Sequence, residues 1–316
     1  MSALQALPWL ADPFAQAARE LSAGRTPHAM LISSAPGGGL DEFAQELAAL
    51  RLCFDPGDLD LGEKGACGQC KSCLLLRAGS HPDLQRLAPE GASAAIKVDA
   101  VRRLVETLAQ TPQISPWKVV IITAAHRMNP NAANACLKVL EEPPGNSLLL
   151  LLSERPQLLL PTVRSRCVSL RLPPPTAAQS ATYLQDRGLE PPLIEQALTE
   201  LGNRPTEIAQ WVEQDIWSAW QQAHEQIAAL SAGRISAIEA ANKLKGQDLP
   251  RLIDWLLEHL MKKMRNAALQ QPAIFKRLNR PYRSLLQTRQ DLNAGANPNP
   301  QLSLESLFVD WPTERG

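Results

Sequence analysis

Apolar positions along this chain follow two rhythms, a helical one and a strand-like one, and both are clearest between Asn129 and Cys167. Asn129 can cap a helix, and Pro130 suits the first turn, where no amide hydrogen is missed. Ala133, Cys136, Leu137 and Leu140 then fall on one face at helical spacing. Glu141 and Glu142 end the pattern, because Pro143 and Pro144 cannot continue it. Leu148 to Leu152 is a short, wholly apolar run, as expected of a strand covered on both sides. A second short segment follows, then Thr162-Val163-Arg164-Ser165-Arg166-Cys167. Helix, buried strand and late arginine turn predict one unit of an α/β sheet.

The same rhythms recur on either side. Leu7 to Gly24 is patterned as a helix, with Phe14, Ala17, Ala18 and Leu21 on one face. Met30-Leu31-Ile32 predicts a short strand, Ser34 to Gly39 a glycine-rich turn, and Asp41 to Leu52 a helix. Ile96-Lys97-Val98 alternates like a strand, and Asp99 can cap a helix carrying Val101, Leu104, Val105 and Leu108. Lys118 opens another buried strand, Val119 to Thr123. Pro173-Pro174-Pro175 marks a boundary, after which Thr176 to Val212 reads as a small helical domain. From Asp215 the pattern is helical to the end, with Trp217, Trp220, Leu252, Trp255, Leu256 and Leu260 as core positions. Ala294 to Pro300 predicts a loop before a last helix, Leu302 to Phe308.

With 316 residues, 45% of them hydrophobic, the chain exceeds one ordinary core and is expected to hold two or three domains. No stretch reaches the apolar length of a transmembrane helix, and the start MSALQALPWLADPF lacks the pattern of a secretory signal, so a cytoplasmic location is expected. Lysine plus arginine number 32 and aspartate plus glutamate 32, a formal net charge of zero. That balance opposes a protein living mainly on phosphate contacts. Lys262, Lys263 and Arg265 could face DNA, although a solvated helix face is the commoner reason for such a run.

Of the six cysteines, Cys136 and Cys167 stand alone and read as ordinary buried residues. Cys53, Cys67, Cys70 and Cys73 cluster, which in a cytoplasmic chain suggests metal before disulfides. Four thiolates close a tetrahedral structural zinc site; the same C-x-x-C-x-x-C spacing also occurs around iron–sulfur clusters. His81 is a possible replacement ligand or a loop-fixing residue.

The strand–loop–helix order around Ser34 to Asp41 is the layout of a phosphate-binding loop. Against the pattern G-x-x-x-x-G-K-[ST], Gly37 and Gly39 are glycines, but Ser34 replaces the first glycine, Leu40 the lysine and Asp41 the magnesium-binding hydroxyl. Leucine cannot neutralise phosphates, and an aspartate repels them by about a kcal/mol or more at short range. The loop reads as a degenerate phosphate loop, or as an ordinary glycine turn, and both lack activity.

The run NAANACLKVLEEPP followed by Ser165-Arg166-Cys167 resembles the clamp-loader branch of the AAA+ ATPases. The resemblance extends along the chain, strongest from Gly37 to Cys167. It implies an AAA+ parallel-sheet domain with a zinc insertion at residues 1–173 (zinc module 53–73), a small helical lid at 174–213 and a helical collar at 214–316. It favours zinc over an iron–sulfur cluster. In active members the strand matching Val119 to Thr123 ends in Asp-Glu; here Thr123 and Ala124 stand there, unable to hold a metal or take a proton. A second arginine is expected in a Gly-Ser-x-Arg pattern, but Pro205 occupies its place and Arg204 lies one residue early.

The resemblance therefore implies a subunit that binds no ATP. Arg166 would reach ATP on a neighbour within a ring that includes gamma/tau and delta subunits. That ring, part of the DNA polymerase III holoenzyme, would load the beta sliding clamp on primed DNA. The rival readings are an active replication ATPase with unusual motifs and a zinc-dependent nucleic-acid-binding module.

Overall fold

The computed structural model describes residues 6–22, 27–58, 64–89, 95–268, 272–293 and 296–312. Ala23 and Gly24 of the expected first helix, and Ala294 and Gly295 of the expected late loop, lie outside them. The chain divides into two compact units, one ending at Gln210 and the other beginning at Trp211.

The first unit holds β1 (Ala29–Ser33), β2 (Gly57–Asp58), β3 (Lys64–Gly65), β4 (Leu84–Leu87), β5 (Lys118–Ile122), β6 (Ser147–Ser153) and β7 (Val168–Arg171). β2 and β3 make a small antiparallel ribbon. The other five form one parallel sheet in the order β4-β5-β6-β1-β7. β6 lies at the centre because its leucines need cover on both faces, and every residue from Ser147 to Ser153 is buried. Side chains alternate along a strand, so Leu149 and Leu151 join one core with Val101, Leu104 and Leu108 of α4 (Val98–Leu108) and Cys136 and Leu140 of α5 (Pro130–Glu141). The opposite face is covered by α2 (Leu40–Leu52), whose Phe43, Ala44 and Leu47 are fully buried. Phe14 of α1 (Ala11–Ser22) meets Phe43 edge-on at 6.0 Å between ring centres. Each fully buried leucine contributes about 1.5–3 kcal/mol relative to exposure, which makes this sheet the main stabilising body of the unit.

Asn129 caps α5 as its type predicts, accepting a hydrogen bond from the Ala132 amide at 2.8 Å. The expected strand at Ile96-Lys97-Val98 does not form. Ile96 makes a single bridge to Met128, and α4 begins at Val98 with Asp99 already inside its first turn. Three alternating residues bury less than a helix that buries Val101, Leu104 and Leu108. After β7 the unit continues through α7 (Ala177–Gln185), α8 (Pro191–Leu201) and the start of α9 (Pro205–Glu213). Thr176 caps α7 in a reciprocal pair with Gln179.

The second unit is helical: α10 (Ile216–Ser231), α11 (Ala237–Leu244), α12 (Leu249–Ala268), α13 (Pro272–Asn293) and α14 (Pro300–Val309). (The first unit also holds α3, Lys71–Arg77, and α6, Pro161–Arg164.) Leu252, Leu256 and Leu260 of α12 share a core with Leu278, Leu285 and Leu292 of α13. Trp217 and Trp220 stack at 4.8 Å and are both buried, as core positions should be. Arg289 grips Asp254 with two nitrogens, tying α13 to α12. Among the described residues no helix is long and apolar enough to cross a membrane.

One buried carboxylate secures the sheet edge. Asp83, 1% exposed, accepts hydrogen bonds from the amides of Gln113, Ile114 and Ser115 at 2.7, 2.7 and 2.8 Å. Burial pushes its pKa up, but the three amides outweigh burial and hold the carboxyl below its ordinary range. Asp83→Ala, which strands those amides, is expected to lower stability to thermal denaturation by about 3 kcal/mol. The folded pKa lies below the unfolded value of about 3.9, so this contribution is present above that pH and is lost as pH falls through the folded pKa. The difference between wild type and variant should accordingly shrink in acid.

Candidate functional site

Three places in the first unit hold the residues to which the sequence assigns chemistry. The first is the loop between β1 and α2. Gly37 and Gly39 take the left-handed backbone at φ +65° and +88°, which glycine adopts without penalty. A Cβ on Gly37 would lie 2.6 Å from the Arg204 Cβ and 2.7 Å from its Cα. The Thr206 amide, at the start of α9, donates to the Gly37 carbonyl at 3.2 Å. On the other side Trp9 Nε1 donates to the Gly38 carbonyl at 2.9 Å, and a Cβ on Gly39 would lie 2.9 Å from Leu10. The Gly38 amide turns back onto the Ala35 carbonyl at 3.2 Å. The loop is thus packed against the chain itself on both sides. Trp9 and Thr206 carry no sequence signal for this role, since nothing in their local pattern reports a contact so distant along the chain.

Next to the loop, Leu40 begins α2 and Asp41 follows it. Thr123 Oγ1 donates to Asp41 Oδ1 at 3.3 Å. The family resemblance places a hydroxyl at position 41 and a carboxylate at the strand end; here the two groups have exchanged sides. Burial raises the Asp41 carboxyl pKa, with Thr123 and Arg86 opposing. His126, in the turn after β5, is half-buried and lies 3.0 Å from Ser153 Oγ through Nδ1. Arg204 pairs with Glu207 at 3.6 Å.

The second place is the cysteine cluster. Cys53 ends α2, Cys67 and Cys70 lie in the turn before α3 (Lys71–Arg77), and Cys73 sits in its first turn. All four Sγ atoms lie within 4.8 Å of one another. The Cys53–Cys70 and Cys67–Cys73 Sγ separations are both 3.9 Å. Four sulfurs at ~2.3 Å from one ion stand about 3.8 Å apart in a tetrahedron, whereas a disulfide needs ~2.05 Å. The donor set therefore fits a single metal ion. A cubane cluster would need the thiolates further apart, since each would bind a different iron. Amides of Cys67 and Cys70 point at the sulfurs of Cys53 and Cys67, at 3.3 and 3.4 Å, and favour the thiolate form. His81 is no ligand. Its Nδ1 accepts the Asp83 amide at 3.1 Å, so Nε2 carries the proton toward Ser72 Oγ at 2.9 Å, and Ser72 donates to the Leu52 carbonyl at 2.7 Å. This relay fastens α3 to the end of α2. The lone thiols behave otherwise: burial pushes Cys136 up to about 12 and Cys167 up to about 11, so both stay protonated.

The third place is the turn after α6 (Pro161–Arg164). Ser165 Oγ donates back to the Thr162 carbonyl at 3.1 Å, and Cys167 packs against the sheet core. Between these anchors Arg166 lies on the surface, its side chain 35% exposed. Its Nε donates to Glu141 Oε1 at 2.8 Å, and Nη1 donates to the Thr162 carbonyl at 2.9 Å. Glu141 is the last residue of α5; its sequence context marks a helix end and says nothing of Arg166.

A parallel sheet with this strand order, a glycine loop after β1, a four-cysteine module and an arginine turn before the edge strand define an AAA+-type subunit. A family model described as DNA polymerase III, delta subunit, matches residues 11–176. DNA polymerase III subunit delta' of Pseudomonas aeruginosa is 36% identical over 326 aligned positions, covering 96% of this chain and 98% of the relative. The Escherichia coli subunit delta' is 34% identical over 256 positions, covering 80% and 75%. The solved structure of a gamma subunit-related DNA polymerase III protein from Thermotoga maritima shares the fold, with a TM-score of 0.57 at 18% identity over 94% of this chain and 97% of that one. This chain belongs to the family of DNA polymerase III delta' subunits.

Metal should be lost as a unit. Purified protein is expected to hold one ion per chain by elemental analysis. Cys70→Ser should release it and loosen the residues around α3, seen as faster local hydrogen exchange, while the sheet keeps its protection.

Proposed function

We propose that this chain serves a DNA polymerase III clamp loader as a subunit that lends Arg166 to ATP held by a neighbour and neither binds nor hydrolyses ATP itself. The single observation that carries this reading is the contrast between the two sites. Arg166 is held on the surface in the Ser-Arg-Cys turn, while the loop at Gly37 lacks its lysine and is packed against Arg204. A nucleoside triphosphate at that loop would meet a turn held by the Arg204 backbone and Asp41 in place of a hydroxyl. Thr123 and Ala124 offer no carboxylate for magnesium or for activating water.

In this role the collar at residues 214–316 joins gamma/tau and delta subunits in a ring, and the helices at 174–213 act as a lid. The ring places the beta sliding clamp on primed DNA. The ion bound by Cys53, Cys67, Cys70 and Cys73 is zinc. Four thiolates suit it and leave no open coordination position, so it supplies folding energy to the module and no chemistry. At the neighbour's ATP a fixed guanidinium stabilises the charge that spreads over the transferring phosphoryl group.

Arg166→Ala should leave the chain folded and the ring assembled, yet slow the DNA- and clamp-stimulated ATPase of the reconstituted complex. A trans arginine is worth ~10³–10⁵-fold in GTPases. The total rate of the ring should fall by far less, because its other sites keep their own arginines. Arg166→Lys should restore only part of the rate, since a point charge lacks the planar fork. Unchanged ATPase and clamp loading would make Arg166 an ordinary surface residue.

A further inference from the structure

We infer that Glu141 is a positioning residue for Arg166, holding the guanidinium in the orientation that reaches the neighbouring subunit's phosphates. The inference rests on the trans-arginine reading above and adds to it the group that orients the arginine.

Geometry is the first support. Arg166 Nε lies 2.8 Å from Glu141 Oε1, and Nη2 lies 2.5 Å from the same oxygen. Nη1 is held separately by the Thr162 carbonyl at 2.9 Å. Two acceptors on different elements, the end of α5 and the start of α6, thus fix both the direction of the side chain and the rotation of its plane. Each terminal nitrogen carries two hydrogens and has one partner among the described residues, so both keep an N–H for a ligand. That is the fork a phosphate accepts.

Placement is the second support. Glu141 is the last residue of α5, where carbonyl ends concentrate negative potential. An acid there has the wrong sign for the helix, and Pro143 prevents any extension that would move it inward. Stability does not explain the pair, because the side chains are 35% and 50% exposed and exposed ion pairs contribute little. What the contact does provide is order. A free arginine must lose several side-chain rotamers in the transition state, and a tethered one has lost them beforehand.

The test uses rings reconstituted to equal composition with wild-type chain, Glu141→Ala, Glu141→Gln, Arg166→Ala and the Glu141→Ala/Arg166→Ala double variant. DNA- and clamp-stimulated ATPase is measured across ATP concentration. Glu141→Ala should lower kcat measurably below wild type, by no more than Arg166→Ala does, with KM for ATP unchanged. Glu141→Gln, which retains an acceptor oxygen, should lose less. The double variant should match Arg166→Ala alone, because Glu141 acts only through the arginine. In the isolated chain the Arg166 Nε–H resonance should exchange slowly and should speed up in Glu141→Ala. If Arg166→Ala slows the ring while Glu141→Ala keeps wild-type kcat, the trans arginine stands and this inference is overturned. If Arg166→Ala is itself silent, both fall together. Additive losses in the double variant, or failure of both Glu141 variants to enter the ring, would make Glu141 an independent or interface residue and overturn the inference as well.

Discussion

The close approach of Arg204 to Gly37 is the constraint on which the proposed division of labour depends. Main chain meets main chain there, at distances no side chain on residue 37 would permit, and the φ of +65° adds a second reason for glycine. The start of α9 is thereby pinned to the loop between β1 and α2 through the Thr206 amide. Trp9 closes the loop from the other side, and its indole meets Tyr183 of α7 edge-on at 5.7 Å. A phosphate loop normally offers its amides and its space to an anion. Here Arg204 lies against the loop at Gly37, and the Gly38 amide is turned inward to Ala35. Glycines kept for ligand approach and glycines kept for backbone approach look alike in sequence, and only the distance to Arg204 tells them apart.

The exchange between Asp41 and Thr123 belongs to the same picture. A hydrogen bond still joins the helix start to the strand end at 3.3 Å, so the local packing keeps its form. In the proposed role the Asp41 charge stands on the phosphate side, where it would repel the ligand, and Thr123 leaves the strand end without a carboxylate for magnesium. In the proposed role the fold is retained as a rigid support and the chemistry has passed to the edge of the sheet. Ser165 and Cys167 anchor the turn there, and Glu141 with the Thr162 carbonyl orients Arg166.

What could be read from the sequence follows how each residue is buried. The leucine run of β6, the apolar β5 and the capped α5 were legible because burial on both faces, or one helical stripe, leaves a pattern within a few residues. The four cysteines were legible because metal chemistry limits their spacing, and the 3.9 Å separations agree with it. β4 and β7 were not. They are the edge strands of the sheet, and Gln85, Arg86, Ser169 and Arg171 give them no apolar run. Glu141, Trp9 and Asp83 were also missed as functional or structural anchors, because each acts on a partner at least 25 positions away in the chain.

The proposed division between a phosphate loop packed against Arg204 and an arginine offered to a neighbour is tested most directly by titrating magnesium–ATP into the isolated, metal-replete chain by calorimetry. The account predicts no heat of binding up to millimolar ATP, because entry requires Arg204 to leave Gly37 and no lysine awaits the phosphates. Saturable binding at micromolar ATP would contradict it, whatever the behaviour of Arg166 in the ring.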